Sequence, residues 1–199
     1  MENSQNFAGS NISTSRGEFL SRLDILQGTG IPEKLANKQC KLTDMVIYGT
    51  KVMGGATSVE VFEAKDTQKD SITNLNNAKL EAGRYFILKS IRVLSDTLSA
   101  ATDAAMAGAS YAVPADAILN GEFELQVVGK TAVPRISARV FDKAGGSNTL
   151  AGQYDLANPV LIAPQSPINA TIRVNSAVAS GLSLEAVRVE LIGTMVIPA

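Results

Sequence analysis

Residues 185–199 read EAVRVELIGTMVIPA, and the alternation inside that stretch decides the fold class. Val187, Val189 and Leu191 point one way in an extended chain and Arg188 and Glu190 the other, because successive side chains of a strand alternate between faces. A strand with one apolar and one charged face is half-buried, so it pairs with strands supplied earlier in the chain.

Working back from it, seven further extended stretches are bounded by Gly, Pro, Asn or Asp. They are 42–49 (LTDMVIYG), 58–63 (SVEVFE), 84–94 (RYFILKSIRVL), 121–128 (GEFELQVV), 135–141 (RISARVF), 159–163 (PVLIA) and 169–175 (NATIRVN), with the last strand at 186–197. Alternation is clearest in Phe123, Leu125 and Val127, in Ile136, Ala138 and Val140, and in Ile172 and Val174. The clusters MGGATS, DKAGGSN, ANP, APQSP and SAVASG supply turns, and Pro159, Pro164 and Pro167 belong at strand starts, edges or loops for want of an amide donor. Strands joined by such turns, with no crossover helices, predict an all-β fold: an eight-stranded antiparallel β-sandwich.

The rest of the chain divides around that scaffold. Residues 1–14 are polar and read as a flexible arm, leaving 15–199 as one domain, a size that buries a real core. Ser15 and Glu18 form a capping box, Phe19, Leu23 and Leu26 share a helical face, and Gly28, Gly30 and Pro32 stop it, which predicts a short amphipathic helix from Arg16 to Gln27. Two excursions interrupt the strands. Residues 66–83 are polar with a helical turn predicted near Asn76 to Glu81; residues 95–120 are alanine-rich, helical in their first half and cut by Gly108 and Pro114.

Composition narrows the function. Hydrophobic residues make up 45% and charged residues 19%, with 18 basic and 19 acidic side chains and a net charge of −1. Nothing there resembles the concentrated basic excess of a nucleic-acid surface, so direct nucleic-acid binding is not expected. No apolar run approaches the roughly 20 residues that span a bilayer, and the first residues have neither the basic nor the apolar region of a secretory signal. Cys40 is the one cysteine and histidine is absent. Triads built on histidine, histidine metal ligation and thiolate cages are thereby removed, and Cys40 reads as a small apolar side chain.

Catalysis would rest on carboxylate pairs, and Asp103, Asp116, Asp142 and Asp155 all fall in or beside loops with no spacing that singles out two of them. Asp142 and Asn148 flank the glycines of DKAGGSN, a hairpin composition that does not match a calcium loop. GKT at 129–131 lacks the upstream glycine of a phosphate loop, that position being Glu124. With no tryptophan, Tyr111 and Tyr154 are the only loop aromatics that offer a sugar a ring face. No catalytic residue, metal or cofactor is expected, nor a small-molecule ligand.

The order of these elements, carried by RYFILKSIRVLSD, by NPVLIAPQSPINATIRVN and by VRVELIGTMVI, resembles the single jelly-roll structural proteins of virus particles, bacteriophages included, over residues 15–197. The resemblance implies a jelly roll without enzymatic activity. Its arm, loops and sandwich edges would bind copies of itself and neighbouring virion proteins, in a virion made in a host cytoplasm. Unlike the arms of many such proteins, residues 1–14 are not basic, so they are not expected to neutralise a genome. A β-sandwich that recognises a glycan or receptor through Tyr111, Tyr154 and the loop acids is the alternative.

Overall fold

A computed structural model describes residues 26, 28–145 and 150–199. The predicted arm, the 16–27 helix apart from Leu26, and Asn148 lie outside the described residues.

The described chain forms eight strands: β1 (Cys40–Val52), β2 (Ser58–Glu60), β3 (Tyr85–Thr97), β4 (Glu122–Val127), β5 (Lys130–Ser137), β6 (Gln153–Ile162), β7 (Ile168–Arg173) and β8 (Glu185–Pro198). They make two four-stranded sheets, ordered β1-β8-β3-β6 and β2-β7-β4-β5. The first strand pairs with the last, the second with the seventh, the third with the sixth and the fourth with the fifth, every pair antiparallel. Such a ladder is one long hairpin. Rolled up, it brings β8 beside β3 and β7 beside β4, which is the jelly-roll arrangement.

The roll explains the regularity of the final strand. As an inner strand of its sheet, β8 is flanked on both edges, and its inward residues Val187, Val189 and Leu191 have no exposed surface. They face Phe123 and Leu125 of β4 and Ile168, Ala170 and Ile172 of β7 in one core. Phe123 meets Phe141 edge-on at 5.2 Å between ring centroids, a geometry that adds to area burial.

Several elements differ from expectation; β1 and β3 run longer than the 42–49 and 84–94 stretches because both pair along nearly their whole length with β8. The 135–141 stretch is strand only to Ser137; Ala138–Phe141 turns as a 3-10 helix, started by the Ser137 hydroxyl accepting the Arg139 N–H, with Ala138 and Phe141 buried. Three alternating residues could not separate the two periods. The expected 159–163 strand begins earlier, at Gln153, because β6 pairs with β3 on both sides of an irregularity that skips Leu156–Pro159. The 58–63 strand shortens to Ser58–Glu60. No helical turn forms at Asn76–Glu81. Asn77 and Ala78 take φ of 52° and 54° as the two centre residues of a tight turn, and the Ala78 carbonyl accepts the Ile168 N–H.

Three short helices were not anticipated: Ile31–Ala36, Asp116–Leu119 in the second half of the 95–120 excursion, and Ser176–Ala179 within the SAVASG turn cluster. Pro32, expected only to end a helix, opens α1 (Ile31–Ala36), since its missing N–H costs nothing in a first turn. Within the 95–120 excursion the helical content resolves into α2 (Asp103–Ala107), with the Thr102 hydroxyl as N-cap, and α3 (Asp116–Leu119). A last short helix, α4 (Ser176–Ala179), is capped by Asn175.

GKT belongs to the β4–β5 hairpin, whose two-residue turn is Val128 (φ 55°) and Gly129 (φ 69°). Such turns favour Asn-Gly. A β-branched valine there is strained, at a cost of about 1–3 kcal/mol, and 55% of its surface is exposed. Val128→Asn is therefore expected to stabilise the fold by about 1 kcal/mol, read as a higher urea midpoint at unchanged slope. A lower midpoint would contradict the strain.

Candidate functional site

The outer faces of the two sheets are unlike. On the second sheet the outward row is polar and internally matched. Glu124 accepts from Arg173 at 2.8 Å and from Gln126 at 3.0 Å, and Arg135 reaches Glu122 and Glu124 at 3.6 and 3.9 Å. The Gln126 amide first, then the Arg173 and Arg135 guanidiniums, hold the Glu124 carboxyl below the usual range. This face is a solvated ion-pair lattice.

The first sheet is covered at both ends. At one, Leu26 and Ile31 are buried against Ile87 and Val196, with Leu35, Leu42, Tyr85 and Leu161 around them. Cys40 lies at this margin, half-buried, its thiol pushed up by burial. At the other end the 95–120 excursion folds back over the sheet, packing Met106, Leu98, Ala186 and Ile72 together with Tyr111. A buried carboxyl anchors it. Glu185 is 5% exposed and accepts from the hydroxyls of Ser95 and, at 2.6 Å, Thr97. Ser95 Oγ in turn accepts the Ala115 N–H at 3.1 Å, while Ser95 and Ala112 exchange backbone hydrogen bonds.

Arg188 locks the same end. Its guanidinium lies 4.2 Å from the Tyr48 ring centroid and 5.8 Å from that of Tyr111, and donates to Glu190 and to the Ser71 carbonyl. Tyr111 donates its hydroxyl to the Met106 carbonyl at 2.9 Å, and burial raises its phenol. Tyr154 packs edge-on to Phe141. Both tyrosines proposed as a sugar platform are thus tied into packing.

Between the two covers the outer face is open. There Asp44 and Val46 of β1, Ile192 and Gly193 of β8, and Lys89 and Ser90 of β3 line a groove of about 210 Å³. The β3–β8 register skips Lys89, a bulge that re-aims its side chain; partial burial lowers its ammonium while Asp155 opposes the shift. Val46 is 39% exposed. The adjoining edge of β1 is closed by Asn74, whose side chain accepts from Tyr48 N–H at 2.9 Å and donates to the Val46 carbonyl at 2.8 Å, taking the place of a neighbouring strand.

A second cleft, of about 340 Å³, lies where β1, the 61–73 stretch and α2 meet. Its charges come matched: Lys51 with Asp66 at 2.8 Å, Lys69 with Asp103 at 2.9 Å. Of the other acids expected in or beside loops, Asp116, which opens α3, and Asp142 share Arg139 at 3.5 and 3.1 Å, and Asp155, which the structure places with Tyr154 in β6, accepts from Gln153 at 2.7 Å. The two acids that approach one another therefore hold a common cation rather than dividing acid and base roles. Among the described residues no group of three or more Cys, Asp or Glu side chains is disposed to hold a metal ion, and no helix is long and apolar enough to cross a membrane.

What sequence reasoning missed is the groove and its anchor. Lys89 interrupts the alternation of 84–94, with Phe86 and Leu88 inward before it and Ile91 and Val93 inward after it; that broken period was the available signal. Compared with known proteins, no family model matches the chain and no curated protein matches it.

Proposed function

We propose that this chain is a non-enzymatic structural protein that self-assembles into or onto the shell of a virus particle, a bacteriophage by the resemblance of its element order. The observation that carries the reading is the rolled ladder itself, closed by β1 against β8, with its first sheet covered at one end by Leu26 and α1 and at the other by the 95–120 excursion. Jelly rolls serve shells and lectins alike, so the choice rests on the side chains. Tyr111 and Tyr154, which a glycan site would need, are engaged by Met106 and Phe141. The loop acids are engaged by Lys69, Arg139 and Gln153. That leaves surface contact as the main property on offer, and symmetric copies of one chain are its commonest partner.

Light scattering on size-exclusion fractions, across concentration and salt, with the fractions imaged by negative stain, tests this. Discrete closed oligomers or shell fragments are expected; a strict monomer at every concentration would overturn self-assembly. Deleting residues 1–14 is expected to leave the circular dichroism and urea midpoint unchanged while weakening assembly. Unchanged assembly would remove the arm from the account.

A further inference from the structure

We infer that two copies of this chain join edge to edge, the Leu42–Val46 stretch of β1 pairing antiparallel with the same stretch of a second copy. This rests on the self-assembly reading and names the contact it uses. Of the four strands at the sheet margins, three are defended against pairing. β2 has three residues, β5 carries Pro134, and β6 carries Pro159 within the irregularity of its pairing with β3. The fourth, β1, runs for 13 residues beside β8 with no break in register and no proline.

The margin of β1 is closed only at its Tyr48 end. There the Asn74 side chain bonds the Tyr48 N–H and the Val46 carbonyl, and the Asn74 N–H bonds the Tyr48 carbonyl. Those bonds also fix which groups face outward. Backbone groups of alternate residues point to alternate sides of a strand, so Leu42 and Asp44, like Tyr48, direct N–H and C=O away from β8. Neither has a backbone partner on that side among the described residues; the Asp44 carbonyl has a 3.4 Å contact from the Thr43 hydroxyl and no more. Thr43 and Asp44 are exposed, so a strand can reach them.

A second copy presents the same alternation, already held straight by its own β8, and a single two-fold rotation serves both margins without ordering a loose peptide. With the axis beside Thr43, Leu42 faces Asp44 of the second copy, the Val46 N–H meets the Cys40 carbonyl, and Thr43 faces Thr43, a favoured cross-strand pair. Centring on Asp44 would set carboxylate against carboxylate. Centring on Leu42 would leave the Val46 N–H opposite Lys38, where a φ of 57° has already turned the chain out of the strand. In the chosen register the two Lys41 stand four positions apart, about 13 Å. The two Asp44 are offset by two positions, each in a groove that Lys89 of its own chain also lines. Two four-stranded sheets thereby become one of eight.

Amide hydrogen exchange along β1, at concentrations above and below assembly, tests the contact. Leu42 and Asp44 amides are expected to slow at least about tenfold in assembled protein and to lose that protection on dilution, while Lys41, Thr43 and Met45 amides, directed at β8, stay slow throughout. Fast exchange at Leu42 and Asp44 in assembled protein would overturn this contact and leave self-assembly standing; protection that survives in the monomer would give the margin to the chain's own residues and overturn it equally. If the protein is monomeric throughout, both fall. Asp44→Pro removes a donor that the fold itself does not use, at a margin position that proline tolerates. It is expected to keep the circular dichroism and to weaken assembly about thirtyfold or more, since a carbonyl in each copy loses its donor; unchanged assembly would count against the contact. In a Cys40→Ser background, Thr43→Cys is expected to oxidise to a disulfide-linked dimer, its facing Cα atoms being about 4.5 Å apart. Assembled Thr43→Cys protein that forms no such dimer would rule out the register.

Discussion

Gly193→Ala is expected to cost at least about 3 kcal/mol and to leave little folded protein at 37 °C. Gly193 sits in β8, opposite Met45 of β1 and Leu88 of β3, with backbone packed on either side. A Cβ there would press into the carbonyl oxygen of Ile87 and stand 3.0 Å from Cζ of Phe86. Neither neighbour can yield. The carbonyl belongs to the adjoining strand, and Phe86 is fully buried in the core. The same position lies just beside the Lys89 bulge, where the register steps from Leu88–Gly193 to Ser90–Ile192, so a displaced backbone would also lose the pairing that closes the sheet. Gly49→Ala serves as the comparison, because its Cβ would meet the ring of Phe62, a side chain rather than backbone. A smaller loss is expected there. Urea unfolding of both variants decides it: a Gly193→Ala midpoint within about 0.5 kcal/mol of the parent, the range of ordinary surface substitutions, would mean that the strands separate more easily than the register implies.

The strands of this fold were legible wherever one face is apolar and the other polar. Val187, Val189 and Leu191 announce β8 because the sheet hides one side and leaves Arg188 and Glu190 on the other. Legibility failed where a local hydrogen bond outweighed the pattern. At Ser137 a hydroxyl cap turned the expected strand into a 3-10 helix, and at Asn77 and Ala78 a two-residue turn replaced an expected helical one. In the second case LNNAKLEAG has helical composition, yet the turn is pinned from outside, by Ile168 donating to the Ala78 carbonyl and by the Lys79–Pro167 bridge. No local window contains that information.

The candidate surfaces were less legible for the same reason. A groove exists only once α1 and the 95–120 excursion have covered the rest of the sheet, and which residues they cover follows from register rather than composition. Tyr111 read as a free loop aromatic because nothing near it in sequence announces Arg188, brought beside it by the β3–β8 pairing. The spacing of Asp103, Asp116, Asp142 and Asp155 singled out no pair, and two of the cations that hold them come from afar: Lys69 for Asp103 and Arg139 for Asp116 lie 34 and 23 positions away in sequence.

Glu185→Leu is expected to destabilise the fold by about 3 kcal/mol, and to do so chiefly by releasing the 95–120 excursion. The carboxyl is 5% exposed and serves two hydroxyls, Ser95 and Thr97, through its two oxygens. Hydrogen bonds of this kind are worth about 1.5–3 kcal/mol each when the acceptor is charged, and a donor left unserved in a buried place costs about 1–3 kcal/mol. Leucine relieves the burial of a polar group, which offsets part of that loss. What it cannot replace is the geometry: Ser95 Oγ also accepts the Ala115 N–H, and the Ser95–Ala112 backbone pair stands beside it. Freed of Glu185, the Ser95 hydroxyl can rotate, and the return path of the excursion loses its fixed end. Amide exchange should therefore accelerate at Ala112 and Ala115 well beyond the change at Leu125 or Ile172 in the opposite sheet. Adding Ser95→Ala to Glu185→Leu should cost less than the sum of the two single substitutions, because the second removes a group the first had already stranded. Strictly additive losses, with exchange rising evenly across both sheets, would mean that Glu185 supports the sandwich as a whole and is not the anchor of its longest excursion.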